Sequence, residues 1–133
     1  MSTKVSLKKI LGYLVSTPMV IETGATGIWK WRKWNDGTVE CWGQTAAKTY
    51  SFTAQSGTGY YTSESQTLPS DLFVSAIAGF ANRLQGTGST PSNSLMTINV
   101  NTLTTTTINY YVQSTYSGSQ SLAICIYIIG TWK

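Results

Sequence analysis

The chain has no histidine, only two cysteines, three prolines and five acidic residues, and its longest apolar stretches fall far short of a membrane span. Each shortage removes a class of function. Without His, the commonest general base and the usual nitrogen ligand of zinc are both missing. Cys41 and Cys125 are too few for a disulfide scaffold or a four-ligand metal site, so no metal and no other cofactor is expected. Each Cys sits inside an apolar strand-like pattern, which favours a buried free thiol, with a single Cys41–Cys125 bridge as the alternative. Spanning a bilayer takes about 20 consecutive apolar residues, so no membrane insertion is expected. The carboxylates are scattered rather than paired in a motif, which leaves two-carboxylate glycoside hydrolysis without its machinery, and the chain is expected not to be an enzyme. Gly57-Thr58-Gly59 and Gly86-Thr87-Gly88 lack the Lys-Ser/Thr step of a phosphate loop and read as turns.

Charge is also sparse: only 11% of residues carry it, against 41% hydrophobic. The net charge of +4 does not describe a basic face, because six of the nine cations are Lys4, Lys8, Lys9, Lys30, Arg32 and Lys33. After residue 34 three cations (Lys48, Arg83, Lys133) meet four anions (Asp36, Glu40, Glu64, Asp71), a net of −1. A nucleic-acid footprint needs a basic patch on the folded body, and none is expected. Lys4, Lys8 and Lys9 before Ile10–Val15 resemble a signal segment, but the run is short and Pro18 follows without a small-x-small site. Synthesis in the cytoplasm with release by lysis is preferred over export through this segment.

What the chain has in abundance is 21 Thr and 16 Ser together with Tyr, Trp, Val and Ile, a composition that suits pleated, half-buried surfaces, while helix-forming surface residues are scarce. At 133 residues there is room for one domain. Ser2 or Thr3 is a candidate N-cap for a helix running to about Val15, with Leu7, Leu11 and Leu14 on one side. Such a seam serves equally a helix packed on its own domain and a parallel coiled coil joining three copies, since so short a helix is marginal alone. Pro18 and Gly24–Gly27 read as a linker and hinge, dividing the chain into a helix and linker over 1–20 and a β-sandwich head over 21–133.

The strongest local signal is a hairpin. Ile28–Trp34 and Thr38–Gly43 flank Asn35-Asp36-Gly37, which suits a three-residue loop with a left-handed Gly37 and a G1 bulge. A two-residue Asp-Gly loop is the alternative and would shift the register by one. The three-residue register sets Arg32 opposite Glu40, Trp31 opposite Cys41 and Lys30 opposite Trp42. It predicts an inward face of Trp29, Trp31, Val39 and Cys41, and an outer face with a salt bridge and a cation–π contact. Further strands are expected near Thr49–Thr53 and Tyr60–Ser63, then at Val74–Asn82 with a break at Gly79, a segment whose alanines also permit a helix. A loop is expected at Gly86–Ser94. Met96, Ile98 and Val100, and then Ile108, Tyr110 and Val112, alternate with polar residues as half-buried strands do. Leu122–Ile129 is apolar on both faces, as in a central strand or one at a subunit interface. Seven or eight strands point to an all-β, antiparallel, jelly-roll-like sandwich with a short N-terminal helix.

Aromatic faces and amides suit sugar recognition. Tyr60, Tyr61, Asn93, Asn99, Asn109, Tyr111, Gln113 and Tyr116 supply them. Of these, Tyr60, Tyr61, Asn93 and Tyr116 flank Gly- or Ser-rich loops and are the expected ligand contacts.

The segments Gly27-Ile28-Trp29-Lys30-Trp31-Arg32-Lys33-Trp34, Glu40-Cys41-Trp42-Gly43, Leu68-Pro69 and Ile126-Tyr127-Ile128-Ile129-Gly130-Thr131-Trp132-Lys133 taken together resemble the C-terminal head domain of phage tail-fibre and minor structural (receptor-binding) proteins from prophages of Gram-positive bacteria. The resemblance spans about residues 20–133. It implies a homotrimeric β-sandwich head at the tip of a virion tail that recognises a bacterial surface polysaccharide, with other tail proteins as further partners. Trp31 stands where Tyr is more usual. The shaft that normally precedes such a head does not precede this one, which fits a separate tail-tip component or a prophage remnant. The motif residues look structural, so no catalytic role is implied. The alternatives are a structural tail or trimerisation module without ligand, and a secreted lectin-like protein.

Overall fold

In the computed structural model, which describes residues 17–84 and 96–133, the chain is all β. The strands are β1 (Val20–Thr26), β2 (Trp29–Trp34), β3 (Thr38–Gln44), β4 (Lys48–Phe52), β5 (Ala54–Ser56), β6 (Gly59–Thr67), β7 (Ser75–Leu84), β8 (Met96–Leu103), β9 (Thr107–Ser114) and β10 (Gly118–Thr131). They form two packed antiparallel sheets. One has six strands in the order β1-β2-β3-β10-β4 with β7 also paired to β10, and the other runs β5-β6-β9-β8.

β10 organises the larger sheet. Its first part, Gly118–Leu122, pairs with β4, while Cys125–Thr131 pairs with β3 and Ala123–Thr131 with β7. Thr45, between β3 and β4, keeps the ladder closed: its amide donates to Ile124 O (3.0 Å), and Ile124 N donates to Thr45 Oγ1 (2.9 Å). The buried hydroxyl and backbone groups are thereby satisfied where the strand is interrupted. Leu122, Ile124, Ile126 and Ile128 point to the core and are at most 2% exposed. They join Ile108, Tyr110 and Val112 of β9 and Val39, Cys41, Tyr50 and Phe52 in one cluster. Burying an aliphatic side chain of this size contributes about 1.5–3 kcal/mol, so the central strand carries much of the fold's stability.

The hairpin has the expected register, with Arg32 opposite Glu40, Trp31 opposite Cys41 and Lys30 opposite Trp42. Gly37 adopts φ +99° and its amide donates to Trp34 O (3.1 Å). The C-terminus clamps this turn from behind: Trp132 N donates to Gly37 O, Trp132 Nε1 to Trp34 O and Lys133 Nζ to Asn35 O. Trp29 is buried, and its Nε1 donates to Thr67 O at 2.7 Å, tying β2 to the end of β6 in the other sheet. Trp31 faces inward but is only half-buried, because it lies near the sheet edge with its ring over Gly24 of β1.

Three expectations need correction. The Gly24–Gly27 stretch is not a hinge: Val20–Thr26 forms edge strand β1, paired along its length with β2. β7 is not broken at Gly79, which pairs with Ile128; a Cβ there would come within 3.1 Å of Ile108 Cδ1 and 3.2 Å of Leu103 Cδ2, so glycine admits the facing sheet. The described residues hold ten strands rather than seven or eight, β1 and the three-residue β5 being additional. The favoured reading of the cysteines as unbridged thiols holds: Cys41 and Cys125 are free and alternate onto opposite faces of the larger sheet, Cys41 in the core and Cys125 half-buried beside the outward Tyr127 row. The N-terminal helix with Leu7, Leu11 and Leu14, the loop at Gly86–Ser94 and Asn93 lie outside the described residues.

Candidate functional site: the outer face of the four-stranded sheet

Alternation sorts the smaller sheet into two chemically different faces. Inward go Ile108, Tyr110 and Val112 of β9, with Met96, Ile98 and Val100 of β8 packed against them. Outward the register aligns Tyr61 with Gln113, Ser63 with Tyr111 and Ser65 with Asn109 on one side of β9, and Thr97 with Gln113 and Asn99 with Tyr111 on the other. Ala54, opposite Tyr61, extends the row onto β5. None of these outward residues is charged.

The Tyr61 and Tyr111 rings meet edge to face, with centroids 5.5 Å apart and planes at 86°. Gln113 Oε1 accepts from Asn99 Nδ2 (2.6 Å) and Thr97 Oγ1 (3.2 Å). These bonds orient both amides and leave the Gln113 NH2 group and the Asn99 carbonyl oxygen without a partner among the described residues. Three shallow depressions adjoin the ring pair. One of about 310 Å³ lies between Ser56, Tyr60, Tyr61, Thr97 and Gln113, and one of about 220 Å³ lies between Ser56, Tyr61, Tyr111 and Gln113. The third, about 350 Å³, lies between Ser63, Ser65, Asn101, Asn109 and Tyr111, beside Glu64, which alternates inward with Tyr110. Glu64 is ion-paired with Lys48. This surface can stack two aromatic rings against a ligand and offer it neutral donors and acceptors.

Of the four expected contacts, Tyr61 is in the centre of this face. Tyr60 alternates inward and packs against the core, reaching only the edge of one depression. Tyr116 is 60% exposed in the β9–β10 turn, away from the ring pair, and its amide donates to Ser114 Oγ. Asn93 is outside the described residues. Tyr111, Gln113 and Asn99 take their place. The signal that finds them is the alternation within β8 and β9, which puts them on strands rather than in loops.

The outer face of the larger sheet is different. Arg32 Nε donates to Glu40 Oε2 at 2.5 Å and Arg32 also donates from Nη2 to Oε1 at 3.3 Å. Trp34 Nε1 (2.6 Å) and Tyr127 Oη (2.6 Å) donate to the same carboxylate. The Arg32 contact, aided by the Tyr127 and Trp34 donors, pulls the Glu40 carboxyl down to about 2. Burial, with Glu40 as acceptor, pushes the Tyr127 hydroxyl up to about 12. The Arg32 guanidinium lies over the Trp34 and Trp42 rings, 5.1 and 5.6 Å from their centroids. Burial also raises the Cys41 thiol to about 12. The hairpin residues Trp29, Trp31, Arg32, Glu40, Cys41 and Trp42 are thus engaged in holding the fold.

No protein-family model, no curated protein and no solved structure matches this chain.

Proposed function

We propose that the chain is a non-enzymatic receptor-binding module of the phage tail-fibre type, a jelly-roll-like head acting as a homotrimer on a virion tail, and that it holds a neutral host-surface glycan on the outer face of its four-stranded sheet. The observation that carries this reading is the uncharged Tyr61–Tyr111–Gln113–Asn99 surface. Sugars present apolar ring faces and hydroxyl groups, which aromatic rings and oriented amides match, and an uncharged surface does not select for a polyanion. The outward positions of this face carry no carboxylate among the described residues, and the neighbouring Glu64, which alternates inward, is ion-paired with Lys48, whereas general acid–base cleavage of a glycoside needs two. That supports binding without hydrolysis.

Each site is shallow, so a single-site Kd in the millimolar to micromolar range, about −4 to −8 kcal/mol, is expected. Three linked sites raise apparent affinity through effective concentration. The test is binding of the fluorescently labelled protein to cells and to extracted wall polysaccharide. Tyr111→Ser and Gln113→Ala are expected to lower binding at least tenfold with the fold intact, and no sugar fragments are expected to be released. Undiminished binding by both variants refutes the site, and released oligosaccharide refutes the non-enzymatic reading. One observation favours the structural-module alternative: the large hydrophobic residues that are more than a third exposed are concentrated on the other sheet, as an assembly surface requires.

A further inference from the structure

β8 is bulged against β9: Val100 pairs with Tyr110 and Thr102 with Asn109, which leaves Asn101 as the extra residue between them. Asn101 and Thr102 are consecutive and both exposed, and alternation resumes one residue late, with Leu103 packed against the core. A bulge leaves its extra residue out of the ladder and re-aims the side chains beside it. Asn101 lines the same depression as Asn109, across β9 from Ser63 and Ser65. The Asn101 and Asn109 amides make no side-chain hydrogen bond among the described residues. Each therefore presents two donors and an acceptor to whatever occupies that depression.

The three depressions of this face follow β9. Gln113 lines the first two, Tyr111 the second and third, and Asn109 the third. Asn109 and Gln113 are four residues apart on one strand, a separation of about 13 Å at the ordinary rise, well over the span of a single sugar ring. The Tyr61–Tyr111 ring pair stands between them. Ser63 and Ser65 of β6 run along one flank of β9, and Asn99 and Asn101 of β8 along the other. The face is shorter in the other direction. β5 pairs with β6 only as far as Tyr61, so at the level of Tyr111 the sheet is three strands wide, about 10 Å at the usual strand spacing. A chain laid across the strands would cross the row of depressions, whereas one laid along β9 follows it.

We propose that Asn101 and Asn109 form a second subsite, and that the ligand is a linear, uncharged glycan chain lying along β9. One sugar sits at the Tyr61–Gln113 end, and another, further along the same chain, sits between the two asparagines and the β6 serines. This rests on the glycan reading above and adds the form of the ligand, a chain rather than a single terminal sugar. The amides and hydroxyls at the second subsite answer sugar hydroxyls without selecting for charge, since none of Ser63, Ser65, Asn101 and Asn109 is ionisable. Joining two weakly held sugars in one chain makes the second contact intramolecular, so affinity rises steeply once the chain is long enough to reach both ends. A purely structural role for the bulge, returning Leu103 to the core, accounts for no dependence of binding on chain length.

The test is calorimetric titration of the full-length protein with neutral wall polysaccharide that has been partially hydrolysed and separated by size, from single sugars upward. For wild type, Kd is expected to fall at least tenfold between the single sugar and the short oligosaccharides and then to level off. Such short fragments engage one site at a time, so the gain is separate from any avidity between copies. Asn101→Ala and Asn109→Ala are each expected to reduce that gain to less than threefold. Lys30→Ala, on the other sheet, is expected to leave it unchanged. Asn101→Ala alone decides the matter should Asn109→Ala fail to fold, as judged by circular dichroism. Equal wild-type affinity for single sugars and longer fragments overturns the inference and leaves the glycan reading standing. A tenfold gain that survives in both asparagine variants also overturns it. No binding to any fraction or to the intact polysaccharide refutes the glycan reading itself, and the second subsite with it.

Discussion

Replacing Glu40 with Gln removes the charge at the centre of the hairpin network while keeping side-chain shape. Glu40 is 13% exposed and accepts from Arg32, Trp34 and Tyr127. Its pKa falls from 4.5 to about 2, which at 1.36 kcal/mol per unit corresponds to about 3 kcal/mol before screening. Arg32 is 42% exposed, so solvent weakens the pair, and the expected loss in Glu40→Gln at pH 7 is about 1–2 kcal/mol. The sign follows from linkage. A carboxyl whose folded pKa lies below its unfolded value contributes its full stability above the unfolded pKa and loses it as pH falls through the folded one. The wild-type advantage over Glu40→Gln is therefore complete above about pH 5 and mostly gone by pH 2. Urea unfolding followed by tryptophan fluorescence, at pH 7, 4.5, 3 and 2 and one fixed protein concentration, measures the gap at each pH; fixing the concentration matters because association adds to apparent stability. A gap below about 0.5 kcal/mol at pH 7, or one that persists unchanged to pH 2, would refute the assignment of Glu40 as the stabilised anion of this network.

Trp29→Ala is expected to cost about 3–5 kcal/mol in denaturant unfolding, because it empties a buried site and strands the Thr67 carbonyl, whereas Trp31→Ala, at a half-buried edge position, should cost only about 1–2. Gly24→Val places a branched side chain where the Trp31 ring lies, and is expected to lower stability by about 1–3 kcal/mol with a shift in tryptophan emission; an unchanged midpoint would show that β1 does not hold that ring. Intact-mass analysis should find both thiols free, and Cys41, buried with its pKa pushed up to about 12, should resist labelling at neutral pH until the protein unfolds.

The parts of the fold legible in the sequence are those where one local rule dominates. Asn35-Asp36-Gly37 admits few loop geometries, and choosing the one with a left-handed Gly37 fixed every cross-strand pair of the hairpin. Strict alternation identified β8 and β9, and the two-sided apolar pattern of Leu122–Ile129 identified the central strand. β1 was not legible because Gly24-Ala25-Thr26-Gly27 has the composition of a turn. It is a strand because β2 offers a free edge and Trp31 needs the space that Gly24 leaves open. Gly79 misleads for a related reason: its function is close approach of the facing sheet, which no neighbouring residue reports. In the candidate site the error was one of topology. A position beside a Gly-rich loop suggests exposure, yet Tyr60 and Tyr61 are consecutive on a strand and must point to opposite faces, so only one of them is available to a ligand.

The same alternation explains why one sandwich can carry two surfaces of opposite character. On the smaller sheet, burial against another protein would strand the Gln113 NH2 group, the Asn99 carbonyl and the Asn109 amide, each at a cost of about 1–3 kcal/mol, unless the partner answered them group by group. Sugar hydroxyls are both donors and acceptors and do so readily. On the larger sheet Glu40 is already saturated, and the remaining surface around Trp42, Phe80 and Ile77 gains from leaving water. A shallow site of weak individual affinity becomes useful on a cell surface only when several are presented at once.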